Sequence, residues 1–201
     1  MHADPTGRSH WIFALDGTLT VPVHDFDGIR RELGLPPGLP ILEQLALLPA
    51  DEAEPLHRRL EQIELELARS ARAWPGVEGL LGALAGRGAT LGILTRNLRS
   101  LAEITLNEVG LGGFFLPGHI LGRNEAAPKP SPEGVELLLR RWQATPEDAV
   151  MVGDYLFDLQ AGRAAGTATV LVDSDGSRPW RHLADRVVRE LDTGLLEASD
   201  G

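Results

Sequence analysis

The chain contains no cysteine. Disulfides, thiolate metal centres and cysteine nucleophiles are thereby excluded, which removes several covalent mechanisms before any motif is read. Long hydrophobic runs are also missing: none approaches the roughly 20 apolar residues of a membrane-spanning helix. The opening MHADPTGRSH holds no apolar segment fit for secretion. A cytoplasmic protein without a membrane partner is expected. Positive charge is scarce, because 19 Lys and Arg face 29 Asp and Glu, leaving a formal charge of −10. Such a field repels nucleic acid, so no nucleic-acid partner is expected, and an anionic substrate needs local positive charge or a metal. The six histidines are scattered, none sharing a helical turn with another, and give a histidine zinc site little support.

What is present reads as an ordinary globular protein, 43% hydrophobic and 24% charged. Its 201 residues suffice for one buried core plus a small accessory unit. Four apolar runs, HWIFAL at 10–15, ATLGIL at 89–94, DAVMVG at 148–153 and TATVLV at 167–172, predict buried strands with helical patterns between them. One such helix is marked by Val135, Leu138, Leu139 and Trp142, with its start at Ser131-Pro132-Glu133. Alternation of this kind predicts an α/β fold, a parallel sheet covered on both faces. The stretch 20–73 departs from it, with helix signals and no convincing strand. There Leu56, Leu60, Ile63 and Leu67 form one stripe, while Arg58, Arg59, Glu61, Glu64 and Glu66 fall on the other faces and read mostly as solvated. Leu35-Pro36-Pro37-Gly38-Leu39-Pro40 separates an early helix from the next, and Trp74-Pro75-Gly76 marks the return to the sheet.

In open parallel sheets, ligands gather outside the carboxyl ends of the strands. Four places there carry chemistry. In Phe13-Ala14-Leu15-Asp16-Gly17-Thr18-Leu19, positions 14 and 16 share one side of an extended chain. Leu94-Thr95-Arg96-Asn97 offers a hydroxyl, a guanidinium and an amide to an anion. Lys129 lies between Pro128 and Pro130, which stiffen its backbone. Gly153-Asp154-Tyr155-Leu156-Phe157-Asp158 sets two carboxylates on one face if a helix starts between them, and hard cations favour such oxygens. Each place alone has an innocent structural explanation; all four, in order and each at a strand end, are harder to dismiss.

Together these motifs resemble the haloacid dehalogenase superfamily, whose signatures are an Asp-x-Asp-Gly-Thr-Leu loop, a Thr or Ser, a Lys, and Gly-Asp-x-x-x-Asp. Pro75-Gly76-Val77 and Lys129-Pro130-Ser131-Pro132 look like its phosphoglycolate-phosphatase-type branch. The resemblance implies a Rossmann-like core over 1–19 and 74–201, with a small helical cap of the C1 type inserted at 20–73. It implies a magnesium-dependent phosphomonoesterase acting on a small phosphorylated metabolite through an aspartyl-phosphate. Asp16 would be the acid/base group and Thr95 would bind phosphate, with Gly17, Thr18, Arg96 and Asn97 as further phosphate contacts. Lys129 would neutralise the site, and Asp16, Asp154 and Asp158 would hold or support Mg2+. Val21-Pro22-Val23-His24-Asp25 is the expected hinge and substrate-facing segment.

One position departs from the pattern. Where the family has its nucleophilic aspartate, this chain has Ala14. A methyl group neither attacks phosphorus nor ligates a metal, so the chain as written is expected to be inactive. The flanking residues keep the family form, which points to an aspartate replaced in a working enzyme. The alternatives are a natural pseudoenzyme that binds or senses a phosphometabolite, a 2-haloacid dehalogenase, or a phosphomutase. Neither substrate nor oligomeric state is legible.

Overall fold

A computed structural model describes residues 5–197. Six parallel strands form one sheet in the order β3-β2-β1-β4-β5-β6: β1 (His10–Phe13), β2 (Thr90–Leu94), β3 (Ile120–Leu121), β4 (Ala149–Gly153), β5 (Ala168–Val172) and β6 (Arg186–Val188). The four predicted strands are present, each a residue or two shorter than its apolar run. β3 and β6 were not predicted, for a physical reason: two or three residues are too few to show a period, and those of β6 are only half-buried. Period-2 alternation decides what each face touches. Trp11, Phe13 and Leu15 join one core cluster with Val77, Leu80 and Leu106, while Ile12 and Ala14 join another with Val135, Leu138 and Met151.

Helices cover both faces. α4 (Val77–Gly86) and α5 (Arg99–Glu108) supply the first cluster, and α6 (Glu133–Trp142) and α7 (Leu156–Ala164) the second. α6 starts at Glu133, right after Pro132. It has Glu133 and Glu136 in its first turn and Arg140 and Arg141 in its last, as the helix dipole favours. The chain runs outward from β1 through β2 to β3, returns to β4 beside β1, and runs outward again through β5 to β6. The carboxyl ends of β1 and β4 therefore flank the point where the winding reverses, the usual place for a ligand in such sheets.

Three helices fill the insert after β1: α1 (Phe26–Glu32), α2 (Ile41–Ala46) and α3 (Ala50–Ser70). Asp25 caps α1 by accepting from the Gly28 N–H. Ile29, Leu33, Ile41, Leu45, Leu60 and Ile63 make a separate core, with Leu56 and Leu67 packed against it, so the stripe read in the sequence is the insert's inner face. Glu64 departs from the solvated reading: it is buried, beside Ile63 and one turn from Leu60 on the face of α3 turned toward the sheet domain. Entry and exit of the insert run side by side. Val21 N–H donates to Arg72 O at 2.8 Å, and Trp74 N–H to Leu19 O at 3.0 Å. Among the described residues no helix is long and apolar enough to cross a membrane.

Candidate active site

A cavity of about 380 Å³ opens over the carboxyl ends of β1, β2 and β4, between the sheet and the insert. Ala14, Asp16, Thr95, Arg96, Asn97, Lys129, Asp154 and Asp158 all line it, so residues up to 144 positions apart meet around one hollow. Gly17 and Thr18 form the adjoining turn. Gly17 has φ +80°, and a Cβ there would sit 2.6 Å from Asp154 Oδ2, so only glycine lets the β1 loop approach that carboxylate. Thr18 Oγ1 donates to Asp154 Oδ1 at 2.8 Å, tying the first motif to the last.

At the end of β1, Ala14 donates its N–H to Val152 O at 2.8 Å, and its methyl group is buried. At the end of β2, Thr95 is held by its N–H to Leu121 O, and its Oγ1 accepts from Asn97 N–H at 3.0 Å. The hydroxyl proton of Thr95 is thus left to donate, as an anion site requires. Lys129 is buried and donates Nζ to Asp158 Oδ1 at 2.5 Å. The other oxygen of Asp158 accepts from Tyr155 N–H at the start of α7. That helix begins between the two aspartates, as their spacing predicts. Asp158 orients Lys129 and caps α7, with both oxygens engaged by protein donors. Gly153 lets this happen, since a Cβ at that position would overlap the Asp158 carboxyl.

Asp154 carries the site's electrostatic tension. Burial and the neighbouring Asp158 push its carboxyl up to about 6, against the Thr18 hydrogen bond and the charges of Lys129 and Arg178. Arg178 reaches its Oδ2 at 3.8 Å. A cation beside Asp154 and Asp16 would relieve that tension, and carboxylate oxygens are what magnesium prefers. Among the described residues no three His, Cys, Asp or Glu side chains cluster as a ready cage. Two carboxylates lining one cavity fit a magnesium ion that keeps several waters.

Several residues of the site were not singled out in the sequence. Glu43 of α2 accepts Arg96 Nη2 on both oxygens, at 2.6 and 2.8 Å, while Arg96 Nη1 donates to Lys129 O and its guanidinium lies 5.0 Å over the Phe157 ring. Arg96 is therefore bound to the insert instead of lying free for an anion. Glu64 lines the cavity and pairs with buried Arg123 at 2.8 Å. Burial raises the Glu64 carboxyl above the usual range despite the Arg123 hydrogen bond and charge. His24, in the segment read as a hinge, lines the cavity and stacks on Phe26, and Arg30 of α1 lines it too. A charge on an amphipathic helix gives no local sign that its partner lies 59 positions away, as Arg123 does from Glu64.

Residues 12–166 match the family model described as haloacid dehalogenase-like hydrolase. A haloacid dehalogenase-like hydrolase domain-containing protein of Arabidopsis thaliana is 30% identical over 177 residues, 82% of this chain and 71% of that protein. A phosphoglycolate phosphatase of Rhodospirillum rubrum is 30% identical over 197 residues, 83% of this chain and 80% of that protein. Among solved structures, a hydrolase from Pseudomonas syringae superposes with a TM-score of 0.76 at 24% identity, covering 92% of this chain and 96% of that one, which supports the fold.

Proposed function

The chain belongs to the haloacid dehalogenase-like hydrolases, and on that premise we propose that its cavity is built to hold a small phosphate monoester, with Mg2+, and that Ala14 leaves the chain without turnover. The observation that supports this most is the gathering of Asp16, Thr95, Lys129 and Asp154 around one hollow at the winding reversal of the sheet. In this reading Thr95 and the ammonium of Lys129 hold the phosphate oxygens. Asp154 would hold Mg2+, which when bound neutralises phosphate charge, and the Asp16 carboxyl beside it is left to carry a proton. The helices of 20–73 act as the cap that encloses the substrate and excludes water.

With an aspartate at position 14, its carboxylate oxygen attacks phosphorus and the ester oxygen leaves with a proton from Asp16. Water, deprotonated by Asp16, then cleaves the acyl phosphate. With alanine there, the position that would supply the attacking oxygen carries only a methyl group. Losing a covalent nucleophile costs on the order of 10⁴ to 10⁶ in turnover, because the remaining groups act as a unit. Ala14→Asp is expected to hydrolyse p-nitrophenyl phosphate in a magnesium-dependent way, where the unaltered chain releases no p-nitrophenol above background. No gain of activity in a folded variant overturns the reading.

A second reading, a binding or sensing protein that never turns over, is supported by one observation: Asp16, Thr95, Lys129 and Asp154 line the cavity beside the methyl group of Ala14. Retention of a phosphate ester by the unaltered chain, together with an inert Ala14→Asp, would select it. The dehalogenase alternative needs no metal, and the carboxylates of Asp16 and Asp154 lining one cavity support it poorly. Activity of Ala14→Asp that survives a chelator would favour it.

A further inference from the structure

The cations of the cavity are almost all neutralised from within the protein. Lys129 is held by Asp158, and Arg96 by both oxygens of Glu43. Arg30, on α1 of the insert, is different. It lines the same cavity and its side chain is 19% exposed. Its Nη2 donates to Asp27, a carboxylate 72% exposed, while its Nε is buried with no hydrogen-bond partner. Nε and Nη2 lie on one edge of the guanidinium fork, the edge that grips both oxygens of a carboxylate or phosphate. One half of that edge is spent on a solvent-exposed ion pair of the kind that contributes little, and the other half is a buried donor without an acceptor.

We propose that Arg30 is a specificity-determining residue, and that the substrate is a phosphate ester carrying a second anionic group. The core-side residues take the ester phosphate; Arg30 takes the far anion edge-on, exchanging Asp27 for it and satisfying Nε. The inference rests on the phosphate-ester reading of the cavity. Its volume of about 380 Å³ exceeds the roughly 300 Å³ lower bound of ordinary small-molecule sites, which leaves room for several carbons between the two anions.

Calorimetry on the unaltered chain, which does not consume its ligand, tests this with matched probes in the presence of Mg2+. Inorganic phosphate reports the phosphate site alone. The pair 3-phosphoglycerate and glycerol 3-phosphate differs by a carboxylate, and the pair fructose 1,6-bisphosphate and fructose 6-phosphate by a second phosphate. The more anionic member of at least one pair is expected to bind about 10- to 100-fold more tightly, the worth of a charge-assisted hydrogen-bond pair, and the pair concerned tells carboxylate from phosphate. Arg30→Gln abolishes the preference while leaving phosphate and the less anionic esters within about twofold, and Arg30→Lys keeps the charge but only part of the preference. Asp27→Asn changes an exposed residue and frees Nη2, so it widens the preference even if Arg30→Gln folds poorly. Phosphate binding with no preference within either pair, a preference that survives Arg30→Gln, or one that Asp27→Asn leaves unchanged overturns the proposal alone. Failure of all five probes, phosphate included, overturns the phosphate-ester reading with it.

Discussion

Asp154 is a carboxylate whose burial works against the fold. Its carboxyl is half-caged by Thr18 and faced by Asp158, and burial raises it from 3.8 to about 6. Between those values the folded chain binds more protons than the unfolded one, so the carboxylate destabilises the fold increasingly as pH rises from about 4 to 6 and fully above that. Below pH about 4 both states are protonated and the effect vanishes. With divalent metal removed by EDTA, Asp154→Asn is therefore expected to raise the melting temperature at pH 7.5. The gain corresponds to the order of 1–3 kcal/mol and shrinks to nothing by pH 4. Thermal scans across that range check it, and a loss of stability at pH 7.5 would show that Thr18 and Arg178 outweigh burial. Added Mg2+ should narrow the gap, since it stabilises only the chain that retains the carboxylate.

At the scale of elements, α3 shows how far sequence patterning reaches. Its Leu56, Leu60, Ile63 and Leu67 were legible as an inner stripe because the helical period is local. Glu64 was not, since its neighbour in space belongs to the segment after β3, and only the tertiary fold brings Arg123 to it. The strand-end motifs were legible for the opposite reason. Buried parallel strands read as continuous apolar runs, so the polar residue that ends each run stands out, as Asp16, Thr95 and Asp154 do. Arg30 and Glu43 come from a helical insert whose charges carry no such punctuation. The Glu64–Arg123 pair, with α3 packed along α5, fastens the insert to the sheet domain. Glu64→Ala leaves a buried guanidinium unpaired, and a loss of about 3–5 kcal/mol in urea unfolding is expected. Replacing both partners by leucine should recover most of that loss, because the pair's desolvation disappears with its attraction. Additive losses in the double variant would mean that the pair is not the interaction that matters.

Across the whole molecule, the packing predicts two levels of opening. β1 and β4 lie at the centre of the sheet, buried on both faces between α4–α5 and α6–α7. Their amides should exchange with solvent only through global unfolding. The insert holds a smaller core of its own and joins the sheet domain through two paired linkers, the α3–α5 contact and the ion pairs of Glu43 and Glu64. It can therefore open without disturbing the central strands, at the cost of those contacts alone. Native-state hydrogen exchange should find α1 and α2 less protected than β1 and β4. In Glu64→Gln, which keeps side-chain volume but weakens the pair, protection should fall in the helices of the insert and at Arg123 while β1 and β4 lose only what the global stability loses. An equal loss everywhere would mean that insert and sheet unfold as one unit, and that access to the cavity requires the whole chain to open.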